Sequence, residues 1–126
     1  MKEEANGLRV ITIDPFTEKI RTAYPLRKSY MEEIKKWMGV DIIDIVTLDD
    51  NNMLIVDDNG LLYTHNRYFK WLPTDCAYAG KAVIVGYDND GATTDASYHP
   101  RRVEDELLEF MPDGYKVEPF MEFVSF

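Results

Sequence analysis

The sequence predicts an α+β domain: a single antiparallel or mixed sheet of about five or six strands with two main helices packed on it. Three observations carry this expectation. Short β-branched runs bounded by turn residues recur along the chain, only two longer stretches repeat apolar residues at helical spacing, and 126 residues suffice for one core without disulfides or metal. The chain 1–126 is therefore read as one domain, with the polar residues 1–7 disordered.

Leu8, Val10, Ile11 and Ile13 form the first strand, closed by Asp14-Pro15, and residues 16–25 are a connection. Ser29 with Glu32 three residues later is a capping-box pattern. It opens a helix in which Tyr30, Ile34, Trp37 and Met38 share one face, and Gly39 stands where a left-handed C-cap is needed. Ile42, Ile43, Ile45 and Val46 make a second strand, followed by a turn at Asp49–Asn52. Met53–Val56 and Leu61–Thr64 flank Asp57-Asp58-Asn59-Gly60, where Asn-Gly suits the positive φ angles of a type I′ hairpin.

Asn66–Leu72 is expected as a short helix capped by Thr64 or Asn66 and ended by Pro73. Ala82–Tyr87 is a strand between Gly80 and the turn Asp88–Gly91, followed by a surface loop through Ser97. Pro100 begins the second helix, with Val103, Leu107, Phe110 and Met111 on its apolar face and Pro112-Asp113-Gly114 as its stop. Tyr115–Phe126 reads as a terminal strand, and its Phe120, Phe123 and Phe126 could equally join two copies in a homo-oligomer. Ile34, Trp37, Leu107 and Phe110 are the expected helix-to-sheet core.

Composition narrows the function. Lys plus Arg total 14 against 23 Asp plus Glu, a formal charge of −9, which disfavours direct binding to nucleic acid or to an anionic membrane surface. Cys76 is the one cysteine, so no intrachain disulfide can form and a cytoplasmic protein is expected. No run of apolar residues approaches the length of a signal peptide core or a membrane span.

Against this acidity, His65, Asn66, Arg67, Tyr68, Phe69, Lys70 and Trp71 form a cationic, aromatic island, since no Lys or Arg occurs between Lys36 and Arg67. Asn66, Arg67, Tyr68, Lys70 and Trp71 are the candidate ligand-binding residues. Asn66 would hydrogen-bond a ligand edge, Arg67 or Lys70 would pair a phosphate or carboxylate, and Tyr68 or Trp71 would offer a stacking face. The bland alternative makes Asn66 a cap, the aromatics core and the cations solvated. The acidic turns 57–60 and 88–91 have Gly at the fourth position rather than the sixth, as hairpins need and calcium loops do not. His65, His99 and Cys76 lie in no zinc or nucleophile motif, and the glycines form neither a phosphate loop nor a dinucleotide fingerprint. No catalytic residue, metal ligand or cofactor site is assigned.

The order of the Asp57–Gly60 hairpin, Asn66-Arg67, the strand Gly80-Lys-Ala-Val-Ile-Val-Gly86 and the turn Asp88–Gly91 resembles a domain-of-unknown-function family found in bacteriophages and mobile elements of Gram-positive bacteria. The likeness spans roughly residues 8–95 and matches Asn66, Arg67, Gly80 and Gly86. It implies a genomic setting rather than a reaction: an accessory binding protein, a host-defence antagonist that sequesters a phosphate-bearing small molecule or blocks a host protein. The alternative is an acidic DNA mimic that inhibits a nucleic-acid-binding protein. It would use Asp41, Asp44, Asp49, Asp50, Asp57, Asp58, Glu104, Asp105, Glu106 and Glu109 as phosphate-like charges.

Overall fold

Strand residues alternate between two faces, and in this protein both faces of the central strands are apolar, so each must be covered by its own layer. The structure is a computed structural model in which residues 7–59 and 66–115 are described. Its strands are β1 (Val10–Asp14), β2 (Lys19–Ala23), β3 (Ile43–Thr47), β4 (Asn52–Asp57), β5 (Tyr68–Trp71), β6 (Cys76–Ala79), β7 (Ala82–Tyr87), β8 (Thr93–Thr94) and β9 (Leu108–Phe110). Helix α1 is Tyr30–Met38, and α2 (Pro100–Arg102) runs on into a π-helical turn at Val103–Leu107.

The fold is mixed α and β, and every ladder among the described residues is antiparallel. The larger sheet runs β2-β1-β7-β4-β3, with β8 paired to β7, and a second sheet runs β6-β5-β9. Register brings Ile11 opposite Ile84 and Ile84 opposite Leu54, so these three line one face. That face packs on Phe69 and Trp71 of the small sheet and on Val103 after α2. Val10, Ile55, Val83 and Val85 line the other face, against Ile34 and Met38 of α1. The result is three layers: α1, the large sheet, then the small sheet with α2.

Two sheets thus replace the single expected sheet. The predicted helix at Asn66–Leu72 is strand β5, and the reason lies in its aromatic residues. Phe69 and Trp71 enter the main core while Tyr68 joins Ala79 and Met111 in a separate cluster, a division with the period of a strand rather than a helix. The second helix also ends earlier than its apolar spacing suggests. Leu108 and Phe110 leave it to pair with Trp71 and Phe69 as β9, which gives the far side of β5 a hydrogen-bonding partner. Strand β2 lies inside the expected connection 16–25, and β6 and β8 were likewise not foreseen. Leu61–Thr64 and nearly all of Tyr115–Phe126 lie outside the described residues, whereas Gly7 already pairs with Leu26.

Helix α1 matches its sequence signals with two changes. Gly39, at φ +75°, closes it by donating to the carbonyls of Lys35 and Lys36. At the start Glu33, not Glu32, does the work: its Oε2 accepts from Ser29 Oγ at 2.7 Å and from the Leu26 N–H at 3.0 Å. Trp37, expected in the core, is 37% exposed, because Ile34 and Met38 are the residues α1 turns onto the sheet. Among the described residues no helix is long and apolar enough to cross a membrane.

Candidate functional site

The island at Asn66–Trp71 is built into the fold. Trp71 is 1% exposed, and Tyr68 is buried with its ring 5.5 Å from that of Tyr115 in an edge-on contact, so neither presents an open face for stacking. Arg67 lies 3.5 Å from Glu18, in the β1–β2 turn, and Lys70 lies 3.2 Å from Asp75, in the β5–β6 turn. Hydrogen bonding to Asp75, helped by its charge, raises the Lys70 pKa. Glu18 and Asp75, at φ 55° and 56°, are the two non-glycine residues with positive φ among the described residues. Each cation therefore meets the carboxylate of a turn whose backbone is held in an unfavourable region.

Asn66 Oδ1 accepts from the N–H of Arg67 at 3.0 Å, and a Cβ on Gly80 would lie 3.3 Å from that same oxygen. Gly80 also stands at φ +82° and donates to the Arg67 carbonyl, so glycine is required there on two counts. At Gly86 a Cβ would come within 2.1 Å of the Asp95 carbonyl oxygen, because the loop after β8 crosses close to β7. These contacts give Asn66, Arg67, Gly80 and Gly86 definite architectural roles.

The acidic turns also use their carboxylates locally. Asp57 accepts from the Asn59 N–H, and Asp88 from the N–H groups of Asp90 and Ala92. His99 Nδ1 caps α2 by accepting from the Arg101 N–H, and Cys76 is exposed with its thiol toward the Thr74 carbonyl. Among the described residues no three His, Cys, Asp or Glu side chains gather in a metal-holding group. The acids considered for DNA mimicry divide between the two ends of the β3–β4 hairpin, the π-helical turn after α2 and, for Glu109, strand β9.

A different place combines cations, an aromatic ring and a concavity. Where α1 lies beside β1 and β2, a cavity of about 430 Å³ is lined by Val10, Ala23, Pro25, Ile34, Trp37 and Arg21, among others. A second cavity of about 310 Å³ shares Thr12, Arg21 and Trp37 with it and adds Asp14, Thr17 and Lys19. Antiparallel register produces this lining: Thr12 faces Arg21 and Asp14 faces Lys19 across the β1–β2 ladder. Among the described residues neither Arg21 nor Lys19 has a side-chain ion pair or hydrogen bond.

The two carboxylates of this groove are already engaged. Asp14 Oδ1 accepts from the N–H groups of Phe16 and Thr17, and Glu33 holds Ser29 and Leu26 as described above. Lys81 places its Nζ 4.9 Å from the Trp37 ring centroid and donates to the Trp37 carbonyl at 3.4 Å. Sequence reading missed this groove because its parts are far apart in the chain and Trp37 fitted a core stripe.

It also missed a polar knot on the other side of the sheet. Asn52, 1% exposed, donates to Ser97 Oγ at 2.7 Å and to Asp49, and its Oδ1 accepts from the Ser97 N–H. Burial alone would raise the Asp49 pKa, but hydrogen bonds from the Tyr98 hydroxyl, the Asn51 N–H and Asn52 hold it below the usual value. Burial, then the bond to Asp49 and its charge, push Tyr98 upward. The Tyr87 hydroxyl adds a bond to the Asp49 carbonyl. Together these bonds fasten the segment around Ser97 to the start of β4, a structural use for residues that read only as turn and loop.

A family model described as "Domain of unknown function (DUF3846)" matches residues 8–107. No curated protein and no solved structure matches the chain.

Proposed function

The chain belongs to the DUF3846 family, whose description assigns no activity, and we propose that it is a non-catalytic binding protein that sequesters a small phosphate-bearing ligand in the groove between α1 and β1–β2. The observation that carries this reading is a pair of cations, Arg21 and Lys19, that form no ion pair among the described residues, beside half-exposed Trp37 in a chain of charge −9. Asp14 stands opposite Lys19 but accepts from backbone N–H groups, and among the described residues neither cation is within ion-pair distance of a carboxylate, which leaves both able to attract an anion from outside.

Holding rather than reacting fits the groove's chemistry. Thr12 and Thr17 line it, no His or Cys does among the described residues, and its carboxylates are engaged by N–H and hydroxyl donors. No side chain there is placed as an activated nucleophile beside a base. The biological setting is part of the proposal: an accessory protein of a phage or mobile element that withholds a ligand from the host's defence. Blocking a host protein through this face would use the same groups.

Calorimetry with a panel of nucleotides and phosphorylated small molecules tests the reading. Arg21→Ala and Trp37→Ala should weaken binding, while Arg67→Ala and Lys70→Ala should leave it unchanged. The opposite pattern would return the site to the β5 island. Equal affinity in all four variants would remove both places from consideration.

A further inference from the structure

The geometry points to a two-part ligand for this groove: one flat, uncharged ring joined to a single phosphate, the chemistry of a nucleoside monophosphate. This inference rests on the reading that the groove binds an anion. It comes from the way the groove separates apolar from charged lining.

The larger cavity has walls of Val10, Ala23, Pro25, Ile34 and Val83, with Arg21 as its one cation. Tyr24 adds an aromatic residue to this lining, and Thr12, shared by both cavities, donates its hydroxyl to the Arg21 carbonyl. Its volume of about 430 Å³ falls in the range of roughly 300–1,000 Å³ usual for small-molecule sites. The smaller cavity holds Lys19 and Arg21. Trp37, Arg21 and Thr12 belong to both and so stand at the junction. A ring on the Trp37 side and a phosphate on the Lys19 side would place Arg21 between them, where its planar fork can grip the phosphate while its flat face meets the ring.

Two features restrict the ligand further. Lys81 sits over the Trp37 ring but lines neither cavity, so the indole already has a cationic neighbour outside the groove. Its remaining surface therefore favours a neutral ring over a second cation. Asp14 lines the phosphate end, so a chain of further phosphates would bring added negative charge against a carboxylate. One phosphate is favoured over three.

The test is calorimetry on the full chain with adenosine 5′-monophosphate, adenosine, ribose 5-phosphate and adenosine 5′-triphosphate, repeated with Arg21→Ala and Trp37→Ala. Arg21→Lys and Trp37→Phe serve as conservative controls, and thermal melts show that each variant folds. The monophosphate should bind about fivefold or more tighter than ribose 5-phosphate, the lower end of what one base–aromatic stack contributes, and more tightly than adenosine, which lacks the phosphate. Trp37→Ala should erase its advantage over ribose 5-phosphate, with partial rescue by Trp37→Phe. Arg21→Ala should erase its advantage over adenosine, and the triphosphate should bind more weakly. If ribose 5-phosphate binds as tightly as the monophosphate, the ring plays no part and the two-part ligand is wrong, while the anion site stands. A triphosphate that binds more tightly overturns the single-phosphate limit. If no phosphorylated probe binds, the proposed function fails with it.

Discussion

Arg67 directly precedes β5 and Trp71 ends it, whereas Arg21 and Trp37 come from β2 and α1 and line one groove only through the fold. Both pairs join a guanidinium to an indole, but their surroundings differ. Trp71 is buried in the main core and Arg67 meets Glu18, while Trp37 is 37% exposed and Arg21 meets no carboxylate among the described residues. A cluster obvious in sequence became architecture, and a dispersed one became the candidate site. Local charge and aromatic content say which chemistry is present; only tertiary pairing says which of it remains available.

The two tryptophans offer the largest contrast. Trp71→Ala should destabilise the protein by about 3–5 kcal/mol, as expected for removing a large aromatic from a packed core. Trp37→Ala should cost no more than about 1 kcal/mol, since much of its ring already faces solvent. Urea unfolding of the two variants checks this, and similar losses would erase the distinction between core and groove. The next effect down belongs to β7. Gly86→Ala forces a Cβ against the Asp95 carbonyl and should cost about 1–3 kcal/mol through backbone displacement. Affinity at the groove should be unchanged in molecules that remain folded, because Gly86 contacts the segment after β8 rather than α1.

How much of this was legible depends on whether the signal was local. The first strand, α1 with its Gly39 cap, the β3 and β4 strands and the β7 strand follow from apolar spacing and turn residues, which short segments carry in themselves. Strand β5 was misread because Tyr68, Phe69 and Trp71 can be placed on a helix or a strand in so short a run. The deciding contacts, to β6 and β9, come from elsewhere in the chain. The π-helical turn after α2 and the departure of Leu108 from the helix have the same cause. In the candidate site, Arg21 lies in a segment whose sequence reads as a connection, and nothing local shows that it forms no ion pair among the described residues. Ser29 and Gly39 did mark the helix that carries Trp37, so its position was readable but its exposure was not.

The polar knot supplies a third probe of what turn carboxylates do. Asp49 has a lowered pKa in the folded protein, so its contribution to stability is present above the unfolded value near 3.8 and is lost as pH falls through the lower folded value. Acid unfolding followed by circular dichroism should therefore show a loss below about pH 4 that is shallower in Asp49→Asn. Tyr98→Phe should cost about 1–2 kcal/mol at neutral pH by removing a hydrogen bond to a charged acceptor. An unchanged acid limb in Asp49→Asn would place the titrating group elsewhere.

The smallest stability effects should separate the two arginines most cleanly. Arg67→Ala removes an ion pair to Glu18, whose side chain is 58% exposed, and exposed pairs are worth about 0–1 kcal/mol. It also removes a buried Nε with no hydrogen-bond partner among the described residues, which offsets part of that loss. Arg21→Ala breaks no ion pair among the described residues. Both variants should therefore melt close to wild type, with ΔΔG within about 0.5–1 kcal/mol. Because stability hardly moves in either, a binding difference between them cannot be attributed to unfolding. Loss of phosphate-ligand affinity in Arg21→Ala with retention in Arg67→Ala would locate the available cation on β2. Loss in Arg67→Ala alone would mean that a ligand can displace Glu18, and that an ion pair in the free protein marks a covered site rather than a structural tie.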